Sequence, residues 1–376
     1  MSEPRKVDFY RHDLGEAELA SLRQTLGTTF LTLGPRVGEF EKRLGEAIGV
    51  PHVVGVNSCT MGLHLALHAL GVGPGDEVIT TPMTYISTPN AALYVGATPV
   101  FADVEPTTGA LDPADVVKRI TPRTRAIIGV HLHGQLCDMR ALRAIADEHR
   151  LWLIEDSAHG FEGERDGARP GTLGDAAVFS FYATKTMTSG DGGAIATRHA
   201  ELAARLRRLR NHGTSKDAAS RHGGTYQHWD MVELGFKAAM TDIDASLLLP
   251  QFDRAEARRA SRQAATERYE ERLRGKPGIT LMERRGKSSH HLFTVLVDRD
   301  RREQVLASLS GQGIGCAVNY RAVHTLTYYR ERFALPEEAL PHAADIGART
   351  VSLPLWPFIP LEDVDHVCDQ LLEAVR

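Results

Sequence analysis

Between residues 53 and 155 the chain alternates short apolar runs with helical stretches, and no other feature constrains its fold so strongly. Residues 53–56, 78–81, 99–103, 126–130 and 151–155 are β-branched or apolar and only a few residues long, as buried strands are. Stretches 62–70 and 139–149 between them have apolar residues at helical spacing. Strands that alternate with helices pair in parallel, because each crossover helix packs on a face of the sheet. The expectation is an α/β chain with ligands bound at the carboxyl ends of its strands.

The flanks extend this plan. Leu19, Leu22 and Leu26 mark one helix over 16–26, and Val37, Phe40, Leu44 and Ile48 mark another over 37–48, with Gly34-Pro35 breaking between them. The run 178–181 reads as a further buried strand, 193–197 as another, and 199–210 as an arginine-rich helix. Residues 211–230 are polar and aperiodic, the composition of a long functional loop. A helical region follows over 241–274, capped by Thr241 or Asp242 and broken near Pro250. Strands at 291–297 and 316–320 and helices at 302–312, 337–349 and 361–375 complete the chain. A chain of 376 residues exceeds what one core holds. The expected division is a large domain over 1–250, N-terminal helices included, and a smaller α+β domain over 251–376.

Composition narrows the function. A net charge of −4 with both signs interspersed gives no footprint for nucleic acid or a membrane surface. No run approaches the roughly 18 apolar residues of a membrane span, and no apolar segment follows Met1. Cys59, Cys137, Cys316 and Cys368 are far apart and form no CxxC pair, so neither a zinc site nor a disulfide framework is expected. A cytoplasmic enzyme with no metal fits these features.

Chemistry concentrates at the strand ends. Lys185 stands in the stretch 179–193, FSFYATKTMTSGDGG, after an apolar strand and before a glycine-rich turn. Alone, such a lysine is a solvated charge; buried, its amine is a nucleophile able to form a Schiff base. Asp156 ends the strand at 151–155, where an aspartate either caps a helix or faces a pyridine nitrogen. Lysine and aspartate together make the pair that pyridoxal phosphate uses. The turn GVNSCTMG at 55–62 offers Ser58, Thr60 and the N-terminus of a helix to a phosphate, and Ser180 adds a hydroxyl. Tyr85 is placed either to stack on a cofactor ring or to fill the core.

The words SCT (58–60), TTPMTYIST (80–88), GATPVFADV (96–104), HLHGQ (131–135), EDSAHG (155–160), FSFYATKTMTSGDGG, RNHG (210–213) and GFKAAMTDIDA (235–245) occur in this order. Together they resemble the DegT/DnrJ/EryC1/StrS family of pyridoxal-phosphate-dependent aminotransferases acting on nucleotide-linked keto sugars. The resemblance runs from Leu33-Gly34-Pro35 to Ser352-Leu353-Pro354. It implies fold type I, pyridoxal 5'-phosphate as cofactor, and a homodimer with active sites at the subunit interface. The substrates implied are a nucleotide-linked keto sugar and an amino-acid donor such as L-glutamate.

By the same resemblance Lys185 is the Schiff-base lysine and Asp156 the partner of the ring nitrogen. His159 holds the position of a Gln or His beside the cofactor ring, and Tyr85 that of the stacking aromatic. Ser58, Cys59, Thr60 and Ser180 match the phosphate cup, with cysteine where glycine is common. Lys237 stands where many members have an Asn that reaches the neighbouring subunit's phosphate, and Ala239 replaces an Arg or Asn. A lysine at 185 argues against the family's dehydratases, which carry a histidine there. The run after it, TMTSGDGG, resembles members that aminate C4 of the sugar rather than C3. NYRAVHTLTYYRERF (319–333) resembles the pattern of the C4-aminating group that makes UDP-4-amino-4-deoxy-arabinose, which implies Tyr320, Arg321 and His324 as contacts to the sugar or diphosphate. An aminotransferase acting on a C3-keto sugar or a keto-cyclitol, and a non-catalytic protein that binds the cofactor or a sugar nucleotide, are the alternative readings.

Overall fold

The computed structural model describes residues 5–215 and 228–376. Two helices lead in, α1 (Glu16–Leu26) and α2 (Pro35–Ile48). Pro35 opens α2, where a missing N–H costs nothing, and Gly49 closes it with φ 76. Val37, Phe40, Leu44 and Ile48 are the buried face of α2, as their spacing requires.

The alternating region then runs β1 (His52–Val56), α3 (Cys59–Ala69), β2 (Glu77–Thr80), α4 (Ser87–Tyr94), β3 (Thr98–Phe101), α5 (Pro113–Arg119), β4 (Thr124–Val130), α6 (Met139–His149) and β5 (Trp152–Asp156). After it come β6 (Ala176–Ser180), β7 (Gly193–Thr197) and α7 (Ala200–Leu209). The seven strands form one sheet in the order β1-β7-β6-β5-β4-β2-β3. Strands β3, β2, β4, β5 and β6 are parallel, and β7 runs antiparallel to both of its neighbours, β6 and β1. Both faces are covered. Val54, Ile128, Ile154 and Ile195 pack on Leu63, Leu67 and Leu206 of α3 and α7. Val53, Phe179 and Ala196 meet α2, and Ile79, Ile127 and Leu153 meet α6, on the opposite face. Strands buried on both faces read as continuous apolar runs, which is why the sequence exposes them so clearly.

The second half holds α8 (Asp242–Leu248), α9 (Ala255–Leu273), β8 (Thr280–Leu281), β9 (Phe293–Leu296), α10 (Arg302–Gly311), α11 (Thr327–Phe333), α12 (Pro341–Arg349), β10 (Thr350–Leu353) and α13 (Leu361–Ala374). Its three strands make a small antiparallel sheet, order β10-β9-β8. Tyr269, Val305, Val351 and Leu371 share its core, joined by Val7 from the N-terminal segment.

Several elements differ from the sequence-based expectation. Residues 316–320 are not a strand: only Ala317 pairs with Ser352, and the chain then turns so that the Asn319 carbonyl meets His133 and the Tyr320 hydroxyl meets His159. The helix expected over 337–349 starts at Pro341, after a separate 3-10 turn at Glu337–Ala339. The region 241–274 is α8, a 3-10 stretch at Leu249–Arg254 containing Pro250, and α9. Helices α4, α5 and α11 are short and lacked a readable stripe. Of the polar stretch 211–230, residues 216–227 lie outside the described residues. No helix among the described residues is long and apolar enough to cross a membrane.

Candidate active site

The carboxyl ends of β4 and β5, the start of α3 and the turn carrying Lys185 enclose a cavity of about 580 Å³. Ser58, Cys59, Thr60, Tyr85, Asp156, His159, Ser180, Lys185 and Tyr320 all line it. Residues spread over most of the sequence converge there because every parallel strand delivers its following loop to the same edge of the sheet.

One end suits a phosphate. Ser58 caps α3, its Oγ accepting the Met61 N–H at 3.2 Å while its carbonyl accepts the Gly62 N–H at 2.9 Å. Helix geometry gives the N–H groups of Cys59 and Thr60 no partner inside α3, so they and the helix dipole are available to an anion. The turn lies directly on β7: a Cβ at Gly193 would stand 2.5 Å from the Ser58 carbonyl carbon and 2.6 Å from the Cys59 nitrogen. The Cys59 side chain points inward, 4.0 Å from Asp156 Oδ1, and burial together with that carboxylate pushes its thiol well up. It remains a protonated thiol, so its backbone is what serves the cup.

At the other end Asp156 is 4 % exposed. Its Oδ2 accepts from Thr88 Oγ1 at 2.6 Å and its Oδ1 from the Ala158 N–H at 3.1 Å. Thr84 lies 2.7 Å from the Thr88 hydroxyl; since Thr88 gives its hydrogen to Asp156, Thr84 is the donor between them. This hydroxyl chain aims the carboxylate. Sequence reasoning quoted the word containing Thr84 and Thr88 but took only Tyr85 from it; Thr84 precedes α4 and Thr88 lies in its first turn, so no periodicity links them.

Lys185 sits in a turn fixed at both ends. Its N–H donates to the Tyr182 carbonyl at 2.9 Å. Gln251 holds Thr188 from both sides, accepting its N–H at 3.0 Å and donating to its carbonyl at 2.7 Å. Burial lowers the amine from 10.5 to about 8, against the opposing pull of Asp156. His159 is buried and held well below its ordinary pKa, first by desolvation and then by Lys185, so its ring is neutral. Tyr85 is 58 % exposed, its ring 6.1 Å from that of Tyr320, forming an open wall.

The DegT/DnrJ/EryC1/StrS aminotransferase family model matches residues 12–372. The chain belongs to this family. SpsC of Bacillus subtilis, a spore coat polysaccharide biosynthesis protein, is 38% identical over 96% of this chain and 95% of its own length. Spr1654 of Streptococcus pneumoniae, in its PMP form, superposes with TM-score 0.92 at 30% identity over 98% of this chain and 99% of that one. DesI, solved in the presence of its TDP-sugar product, gives TM-score 0.89 at 35% identity over 100% of this chain and 94% of that one. The cofactor of this DegT/DnrJ/EryC1/StrS chain is pyridoxal phosphate, its fold is that of its pyridoxal-phosphate-dependent sugar-aminotransferase neighbours, and its activity class is aminotransferase.

The residues fit that cofactor. A helix N-terminus with hydroxyls, a buried carboxylate and a desolvated amine border one cavity of sufficient size. Three further positions predicted for this DegT/DnrJ/EryC1/StrS member do not line it. Lys237 is exposed, its backbone paired with Asn211 and its carbonyl accepting from Asn57 Nδ2 at 3.5 Å. Arg321 faces solvent, and His324, the middle residue of the 3-10 turn Val323–Thr325, is 2 % exposed. The sequence placed 321 and 324 at a strand end; without that strand, only Asn319 and Tyr320 reach the cavity. Thr184, Tyr182 and Asp191 do line it, and sequence reasoning passed over them.

Proposed function

We propose that the protein transfers an amino group from an amino acid, L-glutamate being the fitting donor, to the 4-keto group of a nucleotide-linked sugar. The observation that carries this reading is a desolvated Lys185 and a buried Asp156 in one cavity with the α3 phosphate cup. Ser58, Cys59, Thr60 and Ser180 would hold the phosphate, Asp156 the ring nitrogen, and Tyr85 and His159 the ring. When bound, the cofactor supplies an electron sink at its protonated ring nitrogen. Asp156, oriented by Thr88 and Ala158, keeps that proton in place. Lys185 Nζ would hold the cofactor and, when free, would take a proton from the donor's Cα as general base and return it as general acid. With a pKa of about 8 the amine is neutral in roughly a quarter of molecules at pH 7.5, against about 0.1 % for an ordinary lysine.

The choice of C4 rests on the run TMTSGDGG after Lys185 and on the run from Asn319, of which Asn319 and Tyr320 stand at the cavity. DesI, crystallised with a TDP-sugar product, supports a nucleotide-linked substrate. A homodimer is supported by the large apolar side chains left exposed, among them Leu26, Tyr94, Met231, Val232 and Leu234. The exposure of Lys237, beside Asn57 and outside its own chain's cavity, supports a reach toward a partner's phosphate rather than its own. The test is a panel of 4-keto and 3-keto sugar nucleotides and keto-cyclitols with glutamate, with product amines located by NMR. Amination at C4 of a nucleotide sugar is the expected result; turnover only of 3-keto sugars or cyclitols would overturn the proposal.

A further inference from the structure

The word HLHGQ follows β4, and nothing assigned so far uses His133. This residue has a left-handed backbone, φ 57. From there its N–H donates to Nδ1 of His159 at 3.3 Å, and its ring Nε2 lies 2.8 Å from the Asn319 carbonyl. A carbonyl oxygen only accepts, so His133 carries its ring hydrogen on Nε2. Burial holds this ring at about 4, leaving it neutral.

The next bonds follow in order. His159 accepts at Nδ1, so its one ring hydrogen is on Nε2, which faces Tyr320 Oη at 3.2 Å. Tyr320 Oη therefore accepts from His159. Its own hydrogen has to point elsewhere, and burial followed by the Asp156 charge pushes its phenol up, so the hydrogen stays on. Tyr320 lines the cavity together with Lys185 and Tyr85, its ring 6.1 Å from that of Tyr85.

We propose that His133 is a positioning residue: its backbone fixes the His159 tautomer and its ring holds the Asn319–Tyr320 segment, so that the Tyr320 hydroxyl hydrogen is presented to an oxygen of the molecule bound in the cavity. The inference rests on the aminotransferase reading, and the accepting oxygen belongs to the cofactor or to the keto sugar. His133 acts only through its two neighbours and touches neither reactant.

The test is a double-mutant cycle of His133→Asn with Tyr320→Phe in the full chain. Asparagine tolerates the left-handed backbone but is too short for the ring's bond to Asn319. Pyridoxal phosphate affinity by fluorescence titration, and KM for a 4-keto sugar nucleotide, are measured for each variant. The histidine tautomers are read from ¹⁵N NMR, with His159→Gln assigning the signal. Each single variant should weaken one of the two constants about tenfold, and the double should be no worse than Tyr320→Phe within about twofold, because coupled residues are non-additive. A change in cofactor affinity assigns the cofactor's oxygen; a change in KM assigns the sugar's. His159 should carry its hydrogen on Nε2 in the unaltered protein and in Tyr320→Phe. Additive losses, a hydrogen on Nδ1 of His159, or a Tyr320→Phe variant unchanged in both constants would overturn the proposal. An unaltered protein that takes up no pyridoxal phosphate would overturn the aminotransferase reading as well, so the two failures are distinguishable.

Discussion

At the scale of single residues, burial is what converts a common lysine into a reactive one. The folded chain holds Lys185 at about 8 while the unfolded chain holds it near 10.5, so between those values the unfolded state binds one more proton. Stability from this group therefore rises with pH across that window, and below pH 8 the buried ammonium is a full cost. Lys185→Met removes the cost. Without cofactor, its Tm should exceed that of the unaltered protein below pH 8, and the gap should close as pH rises toward 10.5; a constant gap would mean that the amine is not desolvated. Asp156→Asn keeps an oxygen for Thr88 but gives up the charge. It should still bind pyridoxal phosphate while the half-reaction with glutamate, followed by cofactor absorbance, slows at least about a hundredfold. Both residues were legible in the sequence by type and order. Thr88, Thr84 and Gln251 were not, because a hydroxyl or amide that orients another side chain carries no signal until the strands are assembled.

At the scale of elements, the cup works because β7 presents a glycine where α3 begins. Gly193→Ala would drive a methyl into the backbone of Ser58 and Cys59. Overpacking of this kind costs about 1–3 kcal/mol, and here it displaces the phosphate-binding N–H groups themselves. Pyridoxal phosphate should bind about tenfold more weakly, measured by titration of the cofactor-free variant; unaltered affinity would show that the cup tolerates the shift. The strands β1, β2 and β4 to β7 were readable because burial on both faces leaves nearly continuous apolar runs in the chain. The segment 316–320 misled for a related reason: it is apolar enough for a strand, but the pull of His133 on Asn319 and of His159 on Tyr320 takes it off the sheet after one bridge. Polar contacts that distant in sequence have no periodicity to reveal them.

At the scale of the whole molecule, Lys237 has no part in its own chain's cavity and gains a role only in the homodimer proposed above. It is exposed beside the cup and absent from its own chain's cavity, which is the arrangement expected of a residue serving a symmetry-related site. Lys185→Ala and Lys237→Ala should each be inactive alone. Mixed, unfolded and refolded together, they should recover roughly a quarter of the unaltered activity, since half of the molecules are hybrids and each hybrid keeps one intact site. No recovery, with hybrids demonstrated by a tag, would place Lys237 outside the shared site. The sequence suggested this role for Lys237 only through the family resemblance, because composition and periodicity carry no mark of a face turned toward a partner.

The measurement that bears most directly on all of this is reduction of the purified protein with borohydride, followed by peptide mass mapping. The protein should be yellow and lose that colour on reduction, and one peptide should then carry the reduced cofactor, with the added mass on Lys185. A reduced cofactor found on another lysine, or none retained on any, would contradict the site built here.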